Sequence, residues 1–360
     1  MIIKSITLKN FRNIAYEKIS FEQGVNILVG KNGQGKTNIL EAVSFCSYLK
    51  SFRAVKEEQL IQFGFESATI QIEYLNQNIT ESIQITLLKN GKKVLKHNGI
   101  TVLKNRELIG QFLSIIFTPD HLNLIKEGPN KRRSFIDMAI CALDIKYTDA
   151  LLRYQKILSQ RNAYLKKENV NPLLLEVYDS GLAKEGAYIA VARSEYISKL
   201  ETFAKKIFSD ISKSENKLKL LYINQFVKDV ENEQQMEQAI LQRLKRTRDT
   251  DIALKMTCSG IQKDDLLILQ NGKSLKYFGS QGQIRSAVLS LILAQADVIE
   301  EKFGEYPVII LDDILSELDR TRQKYIFDKS RSSQTLVSTC ESAKARGKGN
   351  IIKVLGGRVI

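Results

Sequence analysis

Gly30-Lys31-Asn32-Gly33-Gln34-Gly35-Lys36-Thr37 has the G-x-x-x-x-G-K-[ST] spacing of a loop that wraps a row of phosphates. Its glycines let the backbone fold so that N–H groups point at a polyanion, and the following helix adds the positive end of its dipole. Gly30, Asn32, Gly33, Gln34, Gly35, Lys36 and Thr37 are therefore the expected nucleotide-binding set. Lys36 reaches the β- and γ-phosphates, and the Thr37 hydroxyl ligates Mg²⁺. A matching acid pair lies downstream, where the apolar run Val308-Ile309-Ile310-Leu311 ends in Asp312-Asp313. In such sites the strand beside the loop ends in a carboxylate that holds the metal's water shell, a role that fits Asp312. Asp313, one residue on, is placed to orient or deprotonate an attacking water. Lys36, Asp312 and Asp313 are the expected catalytic residues, with Thr37 and Asp312 as metal ligands. A third stretch, Gly279-Ser280-Gln281-Gly282-Gln283, opens a helix with N–H groups available to an anion, although an ordinary helix cap reads the same way. The chain binds ATP or GTP.

These groups need supports that the patterning supplies. Gly24 to Val29 reads as a buried strand delivering the loop, and Asn38 to Val43 as an amphipathic helix leaving it. Residues 1 to about 118 alternate strands and turns. Met1 to Leu8 looks like an edge strand, Lys89-Asn90-Gly91-Lys92 like a hairpin turn, and Leu113 to Phe117 like another buried strand. Helical spacing then takes over. Asp149 to Lys167 carries Leu151, Tyr154, Leu158 and Leu165 on one stripe, and a second helix of about 30 residues runs from Leu182 to Ile211. Asn171-Pro172 separates them, which predicts a short antiparallel arm. Lys217 to Phe226 is extended and Glu231 to Arg248 helical. Strands return from 251, with a hairpin through Asn271-Gly272 into Ser274 to Tyr277, and then a helix from Gln283 to Phe303. The fold class is α/β, with a nucleotide lobe split in sequence (1–118 plus 251–360) around a mainly helical insertion (119–250).

At 360 residues the chain is long enough for two lobes. No apolar run reaches the eighteen residues of a membrane span, and the start lacks a signal-peptide profile. Cys46, Cys141, Cys258 and Cys340 are scattered, so disulfides and zinc are not expected and a reducing cytoplasm is. His97 falls in a turn and reads as solvated. The formal charge of +14 calls for an anionic partner, and composition alone does not choose between nucleic acid and a membrane surface. Basic residues cluster at Lys131-Arg132-Arg133 and at Arg243, Lys245, Arg246 and Arg248, while Arg153, Lys156 and Arg161 share a helix face. Arg132, Arg133, Arg153, Arg161, Arg243 and Arg246 are the candidate DNA contacts. No base-reading motif accompanies them, so binding is expected to ignore sequence. Each cluster reads equally as a solvated face or as a partner for internal carboxylates, Asp137 being one for Arg132 or Arg133.

The order of phosphate loop, Ser-x-Gly-Gln and acid-ended strand followed by Leu318-Asp319 resembles the ABC-type ATPase heads. Further stretches narrow the resemblance to the RecF family. They are Leu8-Lys9-Asn10-Phe11-Arg12-Asn13, Lys50-Ser51-Phe52-Arg53, Phe117-Thr118-Pro119-Asp120, Gly128-Pro129 through Arg132-Arg133 to Phe135-Ile136-Asp137, Gln160-Arg161-Asn162, and Ser316-Glu317-Leu318-Asp319. The resemblance implies an ABC-type head with mixed sheets and ATP with Mg²⁺ as the ligand. It implies that Ser280, Gly282 and Gln283 of one copy close in trans on the nucleotide held by another, and that Arg12 contacts the base or ribose. It further implies an ATP-dependent homodimer that clamps DNA at junctions or gaps, helps load RecA with RecR and RecO, and resets by weak DNA-stimulated hydrolysis.

Three positions depart from that pattern. Gly260-Ile261-Gln262 stands where many relatives read Gly-Pro-His, Ser338-Thr339 replaces a switch histidine, and no glutamine of the expected kind follows Phe117. Slow hydrolysis follows from the last two. The competing readings are a transporter's ATP subunit, a chromosome-structure ATPase of the SMC type, and a module that binds ATP without turnover.

Overall fold

A computed structural model describes residues 1–212, 217–227, 229–230, 232–329, 333–340 and 349–360. The chain divides into two compact units: Met1–Asn123, Lys206–Glu215 and Gln281–Ile360 form the first, and Leu124–Lys205 with Asn216–Ser280 the second.

The first unit begins with β1 (Ile2–Phe11), β2 (Ile14–Ser20), β3 (Val25–Val29), α1 (Lys36–Tyr48), β4 (Ser67–Asn76), β5 (Ile79–Leu88), β6 (Lys93–His97), β7 (Ile100–Val102) and β8 (Ser114–Phe117). The second contains α2 (Pro129–Leu143), α3 (Ile145–Tyr164), most of α4 (Pro172–Ser212), β9 (Leu218–Ile223), α5 (Glu233–Leu254), β10 (Asp265–Gln270), β11 (Lys273–Ser274) and α6 (Leu275–Phe278). The chain then returns to the first with α7 (Gln281–Phe303), β12 (Val308–Leu311), α8 (Arg320–Lys329), β13 (Thr335–Thr339), β14 (Asn350–Leu355) and β15 (Arg358–Val359).

Two six-stranded sheets build the first unit, one ordered β2-β1-β4-β5-β6-β7 and the other β15-β14-β3-β13-β12-β8. The first is antiparallel, with strands that alternate buried and open residues. β1 pairs on both sides, with β2 and with β4, so it is an interior strand and not the edge expected from its sequence. Its apolar Ile3, Ile6, Leu8 and Phe11 are fully buried, which an edge strand facing water would not favour. The second sheet is parallel through its centre, and β12 and β8 are short and wholly buried, apolar but for Ser114. Leu40, Val43 and Phe45 of α1 join Leu8 and Ile70 from one sheet with Ile310 and Leu336 from the other in one core. Ten of the 13 residues of α1 are therefore buried, and the helix is enclosed, not amphipathic. α7 is the one described helix long and apolar enough to cross a membrane by composition, but 78% of that window is buried, as in a core helix.

In the second unit α3 and α4 run antiparallel. Arg153 meets Glu185, Ile157 faces Gly181, and Arg161 meets Asp179, so numbers rise along one helix as they fall along the other. α4 is 41 residues, longer than the sequence pattern indicated, because Pro172 starts the helix instead of merely breaking the chain. α5 starts at Glu233 behind the Asn232 cap; Glu231, the expected start, lies outside the described residues. Residues 251–280 cluster here and not with the nucleotide lobe, since β10 pairs antiparallel with β9 along six residues. The Asn271-Gly272 turn forms with φ of 51° and 78°, but β11 stops at Ser274 and Leu275–Phe278 coil into a helical turn.

Candidate nucleotide site

β3 delivers the phosphate loop and α1 leaves it. Gly33 and Gly35 adopt φ of 79° and 110°, a region costly for any residue with a Cβ. A Cβ on Gly30 would lie 2.3 Å from the Val354 carbonyl oxygen. Gly35 caps α1 without a side-chain hydrogen bond, which leaves the first N–H groups of a 13-residue helix open to an anion.

Lys36 is buried, and its Nζ donates to the carbonyls of Gly30 (2.7 Å) and Lys31 (3.0 Å) and to Cys340 Sγ (3.6 Å). The Cys340 thiol in turn donates to Asn32 Oδ1. A cysteine thus follows Ser338-Thr339 at the end of β13, directly against the loop. The parallel register brings the acids alongside. β13 lies between β3 and β12, so the acid-ended strand is one removed from the loop's own strand and not its immediate neighbour. Thr37 Oγ1 still donates to Asp312 Oδ1 at 2.9 Å, and Ser338 Oγ donates to the same oxygen at 2.8 Å. Burial pushes the Asp312 carboxyl above its usual range, while the bonds from Ser338 and Thr37 pull it back. A hydroxyl and a buried carboxylate meeting at one point are oxygen donors of the kind Mg²⁺ uses, so the residues fit the metal.

Asp313 is exposed, and its N–H donates to Ser338 Oγ at 2.8 Å. Its φ of 52° is a strained value for an aspartate, and such strain gathers at functional positions. Ser316 Oγ donates to the Asp313 carbonyl, and Asp319 accepts from the Arg322 N–H at the start of α8. Arg322 then donates to the Gly282 carbonyl (2.7 Å) and to Ser286 Oγ, tying the Leu318-Asp319 segment to the first turn of α7. Ser280 and Gln281 are exposed, and Gly282 and Gln283 partly so.

Arg12 donates through Nε and one terminal nitrogen to both oxygens of Glu41, at 3.0 and 2.9 Å, and through the other to the Gln59 carbonyl. Glu41 is fully buried in α1 and also accepts from Ser51 Oγ. Neither Glu41 nor Arg322 was singled out from sequence. The signal for Glu41 was available: an acid inside Ile39-Leu40-Glu41-Ala42-Val43 must find a cation once that stretch is buried.

The expected DNA contacts divide. Arg161 is fully buried, donating to Asp179 (2.9 Å), Asp251 (2.8 Å) and Thr257 Oγ1 (2.8 Å). Arg132 is buried too, bidentate to Asp265 and donating to three backbone carbonyls. Neither reaches a duplex: each is consumed by internal acceptors. Arg133 donates to the Asp264 carbonyl, and Asp137 pairs with Arg193, not with Arg132 or Arg133. Arg153 is exposed and paired with Glu185; Arg246 is exposed and Arg243 half-buried. In the first unit His97 is not a solvated turn residue, because its Nε2 sits 2.7 Å from Glu81.

The family model described as "RecF/RecN/SMC N terminal domain" matches residues 2–357. The DNA replication and repair protein RecF of Clostridium perfringens strain 13 is 36% identical over 366 residues, covering 100% of this chain and 99% of the relative. Its counterpart in Clostridium novyi is 39% identical over 338 residues, 94% of this chain and 92% of the relative. The solved structure of the recombination mediator protein RecF of the RecFOR pathway with ATP superposes with a TM-score of 0.94 at 36% identity, over 100% of this chain and 97% of that one. The SMC head bound to the winged-helix domain of ScpA matches at 0.59 and 19% identity, over 100% of this chain and 97% of that one, a likeness of fold alone.

Proposed function

The chain belongs to the RecF family of ABC-type ATPase heads, and from that premise we propose that it is an ATP-dependent DNA-binding protein of recombinational repair and replication restart. The observation that carries the chemistry is the convergence of Thr37 and Ser338 on buried Asp312, beside an uncapped α1 and Lys36. ATP lies along the loop from Gly30 to Thr37 with its phosphates on the free N–H groups. Lys36 exchanges its loop carbonyls for β- and γ-phosphate oxygens. Thr37 and Asp312 would hold Mg²⁺, which would supply charge neutralisation for the phosphates. Asp313 orients a water whose oxygen attacks the γ-phosphorus. The bond to the bridging β–γ oxygen breaks, and the water's proton passes to the carboxylate. With no histidine in Ser338-Thr339-Cys340, unaided turnover is slow, and we propose that bound DNA stimulates it.

Ser280, Gly282 and Gln283 act in trans, closing a partner copy's nucleotide so that ATP holds two heads together. Arg12 fixes α1 through Glu41 and offers its remaining N–H groups to the nucleoside. The dimer grips duplex DNA at gaps without reading sequence, through exposed Arg153 and Arg246 with Arg243 and Arg133 at the margins. By family, RecR and RecO are its partners in loading RecA, and the four free cysteines suit a reducing cytoplasm. Full-length family membership leaves a transporter subunit without support.

Sedimentation with and without ATP–Mg²⁺ and duplex DNA tests this. ATP should convert monomer to dimer and tighten DNA binding, with log K falling against log salt at a slope near −4 if about four phosphates are neutralised. Lys36→Met should abolish both effects, and Asp313→Asn should keep the dimer and stop turnover. ATP-independent sedimentation and DNA binding would overturn the clamp.

A further inference from the structure

The phosphate loop is braced from its flank by a second turn. β14 runs parallel to β3, from Asn350 opposite Asn26 to Lys353 opposite Val29, and reverses into β15 through Gly356-Gly357. Both glycines take left-handed φ, 56° and 80°. The Gly356 N–H donates to Gln34 Oε1 at 2.6 Å, and the Gly357 N–H donates to the Gln34 carbonyl at 2.8 Å. One loop residue is therefore held by side chain and backbone together. The contact continues on either side of that pair. The Val354 carbonyl oxygen fills the place a Cβ on Gly30 would need, and a Cβ on Gly35 would come 3.4 Å from Gly357 Cα. A Cβ on Gly357 would lie only 2.5 Å from the Asn13 carbonyl oxygen. Asn13 itself accepts from Asn38 Nδ2 at 2.8 Å and reaches the Gly33 carbonyl at 3.5 Å, so the turn abuts a second residue that touches the loop.

A loop with glycines at both ends is floppy by composition, and ordering it on binding costs affinity. We infer that the Gly356-Gly357 turn, through Gln34, is a positioning element of the nucleotide site that holds the loop in its phosphate-binding shape before the ligand arrives. Gln34 thus serves the site through the hairpin, and the hairpin sets ATP affinity without touching reacting atoms. The inference rests on ATP being the loop's ligand.

The test uses the full chain, ATP–Mg²⁺ titrations by calorimetry, steady-state ATPase kinetics and thermal melts. Gln34→Met keeps the length of the side chain and removes its acceptor. It should weaken ATP binding about fivefold, the worth of one hydrogen bond, and raise KM by the same factor. Its melting temperature should stay at the wild-type value while ATP affinity falls, a split that a merely structural role would not give. Gly357→Ala pushes on Asn13 and should weaken binding at least as much. Gly99→Ala is the control for backbone strain: φ there is also left-handed, 81°, but nothing lies within 4 Å of the added Cβ. It should bind ATP as wild type does. Unchanged ATP affinity in Gln34→Met and Gly357→Ala, beside tight wild-type binding, overturns the brace alone. Equal loss in Gly357→Ala and Gly99→Ala overturns it as well. A wild-type chain that binds no ATP overturns the nucleotide reading itself.

Discussion

Arg161 offers a sharp test, because its sequence position suggests a DNA contact and its surroundings forbid one. The perturbation is Arg161→Met, which keeps the bulk of the stem and removes the charge. It strips Asp179 and Asp251, both fully buried, of a cation at 2.9 and 2.8 Å. Asp179 keeps Arg248 at 3.1 Å, and Asp251 keeps the Cys258 N–H, so each carboxylate retains one partner. Removing one member of a buried ion cluster costs about 3–5 kcal/mol, a large share of the roughly 5–15 kcal/mol that holds a domain together. For a unit of about 150 residues that corresponds to a fall of roughly 6–20 °C in melting temperature. Differential scanning calorimetry reads the second unit's transition, and fluorescence anisotropy at 10 °C reads DNA affinity in the chain that remains folded. The expected pattern is a large fall in Tm with unchanged DNA affinity. Asp251→Asn in the same chain should recover part of the loss, since one uncompensated charge disappears. A Tm within 2 °C of wild type together with weaker DNA binding would show that Arg161 reaches the phosphates, and the burial argument would be wrong.

Two other outcomes follow from single contacts. Burial lifts the Asp264 carboxyl from an ordinary 3.8 to about 6, with Arg193 and Tyr222 pulling the other way without reversing it. Between those values the folded chain keeps a proton that the unfolded chain has shed, so stability falls as pH rises through the window, by roughly 3 kcal/mol from this group. Asp264→Asn should flatten that part of the urea-unfolding profile, and an unchanged slope would contradict the assignment. Cys340 is exposed and 3.6 Å from the Lys36 ammonium, so carbamidomethylation should abolish ATP binding, with ATP–Mg²⁺ protecting and Cys340→Ser resistant. Full ATP affinity after confirmed modification would place the thiol outside the phosphate site.

The loop and the acid-ended strand were legible because they are local. Gly30 to Thr37 and Val308 to Asp313 each carry their geometry within one strand and the turn after it, and short-range spacing encodes that directly. Two asparagine–glycine turns were readable for the same reason. What sequence did not disclose depended on pairing across long separations. β1 reads as an edge until β4, some sixty residues on, supplies its second neighbour. Arg161 reads as a surface cation, yet Tyr147, Tyr154 and Arg161 fall at seven-residue steps on the buried face of α3. Period alone says which face is inward but not that an arginine there has acids waiting from α4 and α5. Residues 251–280 went to the wrong lobe because strand character says nothing about which sheet a strand joins. Here β9, inside the insertion, took β10 with it.

The claim beneath the whole account is that one nucleotide site is made by two copies of the chain, and mixing two crippled variants tests it directly. Lys36→Met destroys the loop, and Ser280→Arg blocks the segment offered to a partner, so each alone should lack ATPase activity while melting normally. In a mixed two-fold dimer one site combines both lesions and the other combines neither. Equimolar mixing should therefore restore turnover that neither component has, up to about half of the wild-type rate, since only the mixed pair holds a complete site and that site is one of two. A mixture as inactive as its components would mean that each chain completes its own site.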